Sequence, residues 1–159
     1  MKMIKALAAG ALLLSLPLAQ AAAADDRATV QVFYDFLSNP ASQAHAEAFD
    51  AVLAENWQSI GDYSGKTKSG DQLMGQMGGL AKLIPDLNWE VEEMIQGGDR
   101  VVVRGRATGT PNGPFFGVDG AGKSFEIMSI DIHTIEDGKI AQTYHVEDWS
   151  GALRQLSGK

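Results

Sequence analysis

Ile130–Trp149 reads IDIHTIEDGKIAQTYHVEDW, and the fold turns on how these twenty residues are read. Polar and apolar side chains alternate on both sides of Glu136-Asp137-Gly138, which is the signature of two strands joined by a turn. Alternation places Ser129, Asp131, His133, Thr143, His145 and Glu147 on one face, and Met128, Ile130, Ile132, Ile140, Tyr144 and Val146 on the other. A three-residue loop with Gly138 left-handed pairs Ile135 with Lys139 and sets Asp131 opposite Thr143. His145 then lies diagonal to Asp131, within reach of long side chains. On pattern alone, the apolar even face packs in the core and the odd face meets water. The other arrangement puts the odd face inside a cavity roofed by helices. There a dry carboxylate and an imidazole form a proton-transfer pair, and the apolar even face needs a second cover, most simply another subunit.

Working outward, the period is two from Leu87 onward. Leu87–Ile95, Arg100–Thr108, Ser124–Ile135 and Lys139–Val146 read as four strands. A Gly- and Pro-rich loop, TPNGPFFGVDGAGK, separates the middle pair. Before Pro85 the period is helical. Asp25 or Asp26 caps a helix to about Leu37, a second follows Ser42, and Asp71 opens a third that Pro85 closes. Trp57–Ile60 is a short strand, and Ser150–Leu156 a terminal helix. Helices first and an antiparallel meander after them make one α+β domain.

The N-terminus carries Lys2 and Lys5, an apolar run from Ala6 to Leu18, and then Ala19-Gln20-Ala21. This is a signal-peptide pattern over residues 1–24, too short to span a membrane, with the domain occupying 25–159. The expected location is periplasmic or secreted. Removing the two lysines leaves 11 basic against 20 acidic side chains, a net charge near −9. Such a chain repels nucleic acid and anionic lipid, and no membrane contact is expected after cleavage. There is no cysteine. His45, His133 and His145 form no metal-ligand spacing, so no metal is expected. Gly117–Ser124, GVDGAGKS, fits the letter of a phosphate-binding loop, but a strand follows it where a helix is required, so it reads as a turn. Asp148 stands where it can N-cap the last helix.

The segments IPDLNWEVEEMIQGGDRVVVRGRATGT, GPFFGVDGAGKSFEI, IDIHTIEDGKIAQTYHVEDW and GALRQLSG resemble the SnoaL-like polyketide cyclases, or ester cyclases, of the NTF2-like superfamily. The resemblance covers most of Leu83–Gly158. It implies a cone: three N-terminal helices packed on a curved antiparallel sheet that encloses a pocket, with dimers formed through the outer face. It also implies cofactor-independent acid/base enolisation of a small hydrophobic carbonyl compound, leading to cyclisation or isomerisation. The roles fall on Asp131, His145 and Asp148 as catalytic residues, with Tyr34, Trp57, His133 and Glu147 binding substrate. The chain departs from the family pattern at Pro111 and at Trp57-Gln58-Ser59-Ile60, where members often carry histidine or Asp-His. A non-catalytic module binding a small ligand in the same pocket is the alternative.

Overall fold

The computed structural model describes residues 25–120 and 122–158, and the expected signal peptide lies outside the described residues. Helix α1 (Arg27–Ser38) buries Val30, Phe33, Tyr34 and Leu37, an i, i+3, i+4, i+7 stripe that needs one apolar partner surface. Asp26 sits at its N-cap but makes no side-chain cap bond. Instead the Asp26 backbone N–H donates to Gln96 Oε1 and Gln96 Nε2 donates to Asp26 Oδ2, each at 3.0 Å. The acid therefore ties the helix start to the sheet. Helix α2 (Gln43–Val52) begins as expected, with the Ser42 hydroxyl accepting from the His45 backbone N–H. It runs straight into β1 (Leu53–Ile60), which is longer than the sequence suggested. Helix α3 (Gly70–Leu83) is opened by Ser69 and Gln72, whose side chains bond each other's backbone N–H, so Asp71 falls in the first turn instead.

Strands β2 (Asn88–Gly97) and β3 (Arg100–Gly109) come next, then a small hairpin, β4 (Pro114–Phe115) and β5 (Val118–Asp119). Strands β6 (Phe125–Glu136) and β7 (Lys139–Glu147) lead into α4 (Trp149–Ser157). The larger sheet has the order β1-β7-β6-β3-β2. One expectation changes here. The sheet is mixed, because β1 lies parallel to β7 through Ser59–Thr143 and Ile60–Tyr144; β1 leaves into a long connection, and no tight turn forces it antiparallel. The described residues hold four helices, the three N-terminal ones of the cone and the terminal helix expected over Ser150–Leu156. It starts at Asp148, which accepts from the Gly151 backbone N–H at 2.7 Å. The phosphate-loop look-alike is turn chemistry: Lys123 Nζ donates to the Leu156 carbonyl at 2.8 Å and fastens the end of α4.

The hairpin register also differs from expectation. Asp137 and Gly138 have φ of +51° and +75°, a two-residue turn whose twist matches that of the strands. Glu136 pairs with Lys139 and Ile135 with Ile140, but Thr134 pairs with Gln142. Ala141 is the extra residue of a β-bulge, and the bulge reverses the facing of β7 beyond it. Ile140 thus lies fully buried beside Ile135, while Thr143, His145 and Glu147 share the face of Asp131. The buried face is the odd one. Phe125, Ile127, Ser129, Asp131 and His133 on β6 are all at most 4% exposed, whereas Met128, Ile130 and Ile132 are at least 37% exposed. The core forms where this concave face meets α1, with Val101, Val103 and Ala107 of β3 beneath Phe33, Tyr34 and Phe36.

Candidate active site

The concave face carries a row of polar groups, most of them hydrogen-bonded to one another. Asp131 and His145 are direct cross-strand partners, and both line one cavity of about 90 Å³. Its walls are apolar: Phe33 and Leu37 from α1, Leu73 and Met77 from α3, and the indoles of Trp89 and Trp149. Asp131 is 4% exposed. Burial raises its pKa to about 7, against the lowering effect of a hydrogen bond from Tyr34; Glu147 adds to the rise, while His145 and Ser129 oppose it. The carboxyl is therefore poised between acid and carboxylate near neutral pH.

Four side chains behind Asp131 form an oriented hydrogen-bond chain. Trp57 Nε1–H donates to Thr143 Oγ1 at 3.1 Å. That leaves the threonine hydroxyl proton for His133 Nδ1, 3.0 Å away. His133 then carries its proton on Nε2, which meets Tyr34 Oη at 3.0 Å, and Tyr34 O–H donates to Asp131 Oδ2 at 2.7 Å. The tautomer follows from the donor and acceptor inventory, since indole and tyrosine supply the fixed ends. Burial, followed by the charge of His145, lowers the His133 pKa to about 3, which keeps the ring neutral. Burial and then the Asp131 charge hold the Tyr34 phenol well above its usual value. On the other side, Trp89 Nε1–H donates to Ser129 Oγ at 3.2 Å, and Ser129 reaches the same Asp131 oxygen at 3.4 Å. Asp131 Oδ1 has no hydrogen-bond partner among the described residues.

His145 is held from two directions. Its Nδ1 lies 2.8 Å from Glu147 Oε1, with the two side chains 15% and 17% exposed. Its Nε2 is buried with no hydrogen-bond partner, and the ring fits because residue 61 is glycine. A Cβ at Gly61 would stand 3.1 Å from both Cε1 and Nε2. Glu147 accepting the Nδ1 proton leaves the lone pair on Nε2, the arrangement of an oriented base.

Of the residues expected at the site, Asp131, His145 and Glu147 line the cavity. Tyr34, Trp57 and His133 do not; they stand behind it, in the chain that bonds Asp131. Asp148 is the N-cap of α4 and pairs with Arg154 at 3.6 Å. Sequence reading missed Lys68, Ser59 and Gln76, which also line the cavity. The helical spacing of Leu73, Gln76, Met77 and Leu80 carried a signal for Gln76. Lys68 sits in a loop brought to the wall by reciprocal backbone bonds with Ser59, of 2.9 and 3.1 Å, and nothing local announces that contact. Among the described residues no group of three or more His, Cys, Asp or Glu side chains is placed to hold a metal ion.

A concave mixed sheet roofed by helices gives this chain the ketosteroid isomerase-like, NTF2-like fold. Within that fold the chain belongs to the SnoaL-like polyketide cyclase family, whose sequence model matches residues 28–156. The fold is shared with IdmH, a proposed polyketide cyclase from Streptomyces antibioticus, at 23% identity and a TM-score of 0.72 over 84% of this chain and 99% of that one. A SnoaL-like polyketide cyclase from Agrobacterium tumefaciens aligns at 19% identity and a TM-score of 0.67, covering 82% and 97% of the two chains. A Catenulispora acidiphila protein with a ketosteroid isomerase-like fold, bound to trimethylamine, gives 15% identity and a TM-score of 0.63 over 82% and 92%. These identities speak for the fold alone. No curated protein matches the chain in sequence.

Proposed function

We propose that this protein is an exported, cofactor-independent enzyme that enolises a small hydrophobic carbonyl compound, as the first step of a cyclisation or isomerisation. The observation that carries the reading is the direct pairing of a buried Asp131, pKa about 7, with His145 in one apolar cavity. Enolisation needs one group that holds a proton and one that lacks it, and this pair shares one proton in either arrangement. Burial favours the neutral form of Asp131, which then holds the proton that the carbonyl oxygen needs. His145 Nε2 is packed against Gly61, so the ring turns toward the cavity as it takes the proton beside the carbonyl, and Asp131 donates its own to the carbonyl oxygen. The enol forms without a free charge in a dry site. In an aldol closure the enol carbon bonds to a second carbonyl carbon, the enol proton returns to Asp131, and the imidazolium protonates the new alkoxide. Export rests on the residues 1–24 pattern, which points to the periplasm or outside.

The enclosed volume argues for a small substrate. About 90 Å³ is less than the roughly 150 Å³ void that holds one benzene, so the enclosed space seats the reacting carbonyl and its nearest carbons, and a longer ligand extends toward the cavity mouth. The second reading, a non-catalytic binding module, draws on Trp57: where family members often carry polar residues, this indole is 3% exposed and committed to Thr143. Homodimerisation belongs to the same proposal. Met128, Ile130, Ile132, Tyr144 and Val146 leave a contiguous apolar face on β6 and β7, which a second copy would cover.

Deuterium exchange tests the reading without a known substrate. Cyclopentanone or 3-pentanone in D2O with the wild-type protein loses its α-proton NMR signal faster than in buffer, and Asp131→Asn slows this by about 100-fold or more. Exchange at the buffer rate with the ketone demonstrably bound supports the binding module instead.

A further inference from the structure

We infer that the cavity has a second recognition point, Lys68, and that its ligand is a carbonyl compound bearing an anionic group, a keto acid in the simplest case. The inference rests on the enolisation reading for the carbonyl end and adds the other end. Lys68 is half-buried and lines the same cavity as Asp131 and His145. Its backbone bonds Ser59 in both directions, at 2.9 and 3.1 Å, so the lysine belongs to the wall. Ser59 pairs with Thr143, the strand neighbour of the His145 row. Lys68 therefore stands two strands from β7, roughly 10 Å across the sheet at ordinary strand spacing.

Burial together with charge accounting points to it, since Lys66, Lys82 and Lys139 are exposed. Each described arginine has a carboxylate within salt-bridge distance, and Lys123 is bonded to a carbonyl. The carboxylates that line the cavity are also engaged, Asp131 by Tyr34 and Glu147 by His145. Among the described residues no ion pair or hydrogen bond engages the Lys68 ammonium. The Lys68 side chain is half-buried on the cavity lining, and an ammonium at the cavity rim draws an anion with a charge-assisted hydrogen bond. Gln76 of α3, on the same lining, supplies a neutral donor. The cavity thus has an acid/base end and apolar walls, with Lys68 on its lining as the candidate anion-binding residue.

Tryptophan fluorescence reads binding directly, because Trp89 and Trp149 line the cavity. The probes are 4-oxopentanoate and 5-oxohexanoate against their methyl esters, which differ by one charge. The acids bind about tenfold more tightly than the esters, the scale of one hydrogen bond to a charged group. Lys68→Met and Lys68→Gln abolish the preference, Lys68→Arg keeps it, and added salt weakens it in the wild type. Asp131→Asn leaves the preference intact. Equal binding of acid and ester, failure of the acids to bind at millimolar concentration, or a preference that survives Lys68→Met and Lys68→Gln overturns the inference. If the preference tracks Lys68 but the bound acid exchanges no α-deuterium, enolisation fails and the anion site stands.

Discussion

At the scale of single residues, Asp131 and His133 titrate in opposite senses, and this is measurable. The Asp131 pKa rises from 3.8 to about 7 on folding, so its favourable contribution is complete below 3.8 and is lost as pH rises through 7. The His133 pKa falls from 6.5 to about 3, so its contribution is complete above 6.5 and is lost as pH falls through 3. Asp131→Asn cannot ionise, so relative to wild type it gains up to about 4 kcal/mol between roughly pH 4 and pH 9, at 1.36 kcal/mol per pKa unit. Urea unfolding at the two pH values measures it, and a pH-independent difference contradicts a buried acid. Gly61→Ala places a methyl 3.1 Å from the His145 ring. The ring must shift, costing about 1 kcal/mol, and ketone exchange falls more than stability does. Asp131 and His145 were legible as candidates because alternation groups the polar residues of each strand on one face. Their direct pairing was not, because the turn length and the bulge at Ala141 were both needed to set it. The chain from Trp57 to Tyr34 joins residues 86, 10 and 99 positions apart, and nothing in local pattern shows such contacts.

At the scale of elements, the bulge decides which end of β7 faces the cavity. Without an extra residue at Ala141, the facing that buries Ile140 would turn His145 and Glu147 outward. Sequence reading found both strands and missed this, because a bulge has no composition signal when the extra residue is alanine. Helix α3 is the loosest wall. Gly75, Gly78 and Gly79 each have open space where a Cβ would stand, so each costs conformational entropy without easing a contact. Gly75→Ala and Gly79→Ala are expected to stabilise the protein by about 1 kcal/mol each. Thermal unfolding checks this, and no gain would mean that α3 is already fully held by packing. If α3 must yield to admit ligand past Leu73 and Met77, the double variant also binds more slowly.

At the scale of the whole molecule, the α+β class and the order of elements followed from the change of period at Pro85. Which face of the sheet is dry did not, because both faces of the hairpin offer a continuous stripe. The even stripe is more apolar, and the odd one holds the groups that need burial to act. The resemblance to SnoaL-like cyclases tipped the choice, and burial of the odd face agrees with it. The outward apolar face is the one that the proposed second copy would cover. Ile132→Lys, at 37% exposure on that face, is expected to shift sedimentation from dimer to monomer with the cavity unaltered. A wild type that is monomeric at high concentration contradicts the dimer.

The claim on which all of this depends is that Asp131 sits in a dry cavity as an acid poised near neutrality, facing His145. Carbon-13 NMR of the Asp131 side-chain carboxyl, titrated against pH in the folded protein and assigned by its loss in Asp131→Asn, measures that state. The account predicts a midpoint at about 7. A midpoint near the ordinary carboxylate value of about 4 would place the group in water and contradict it.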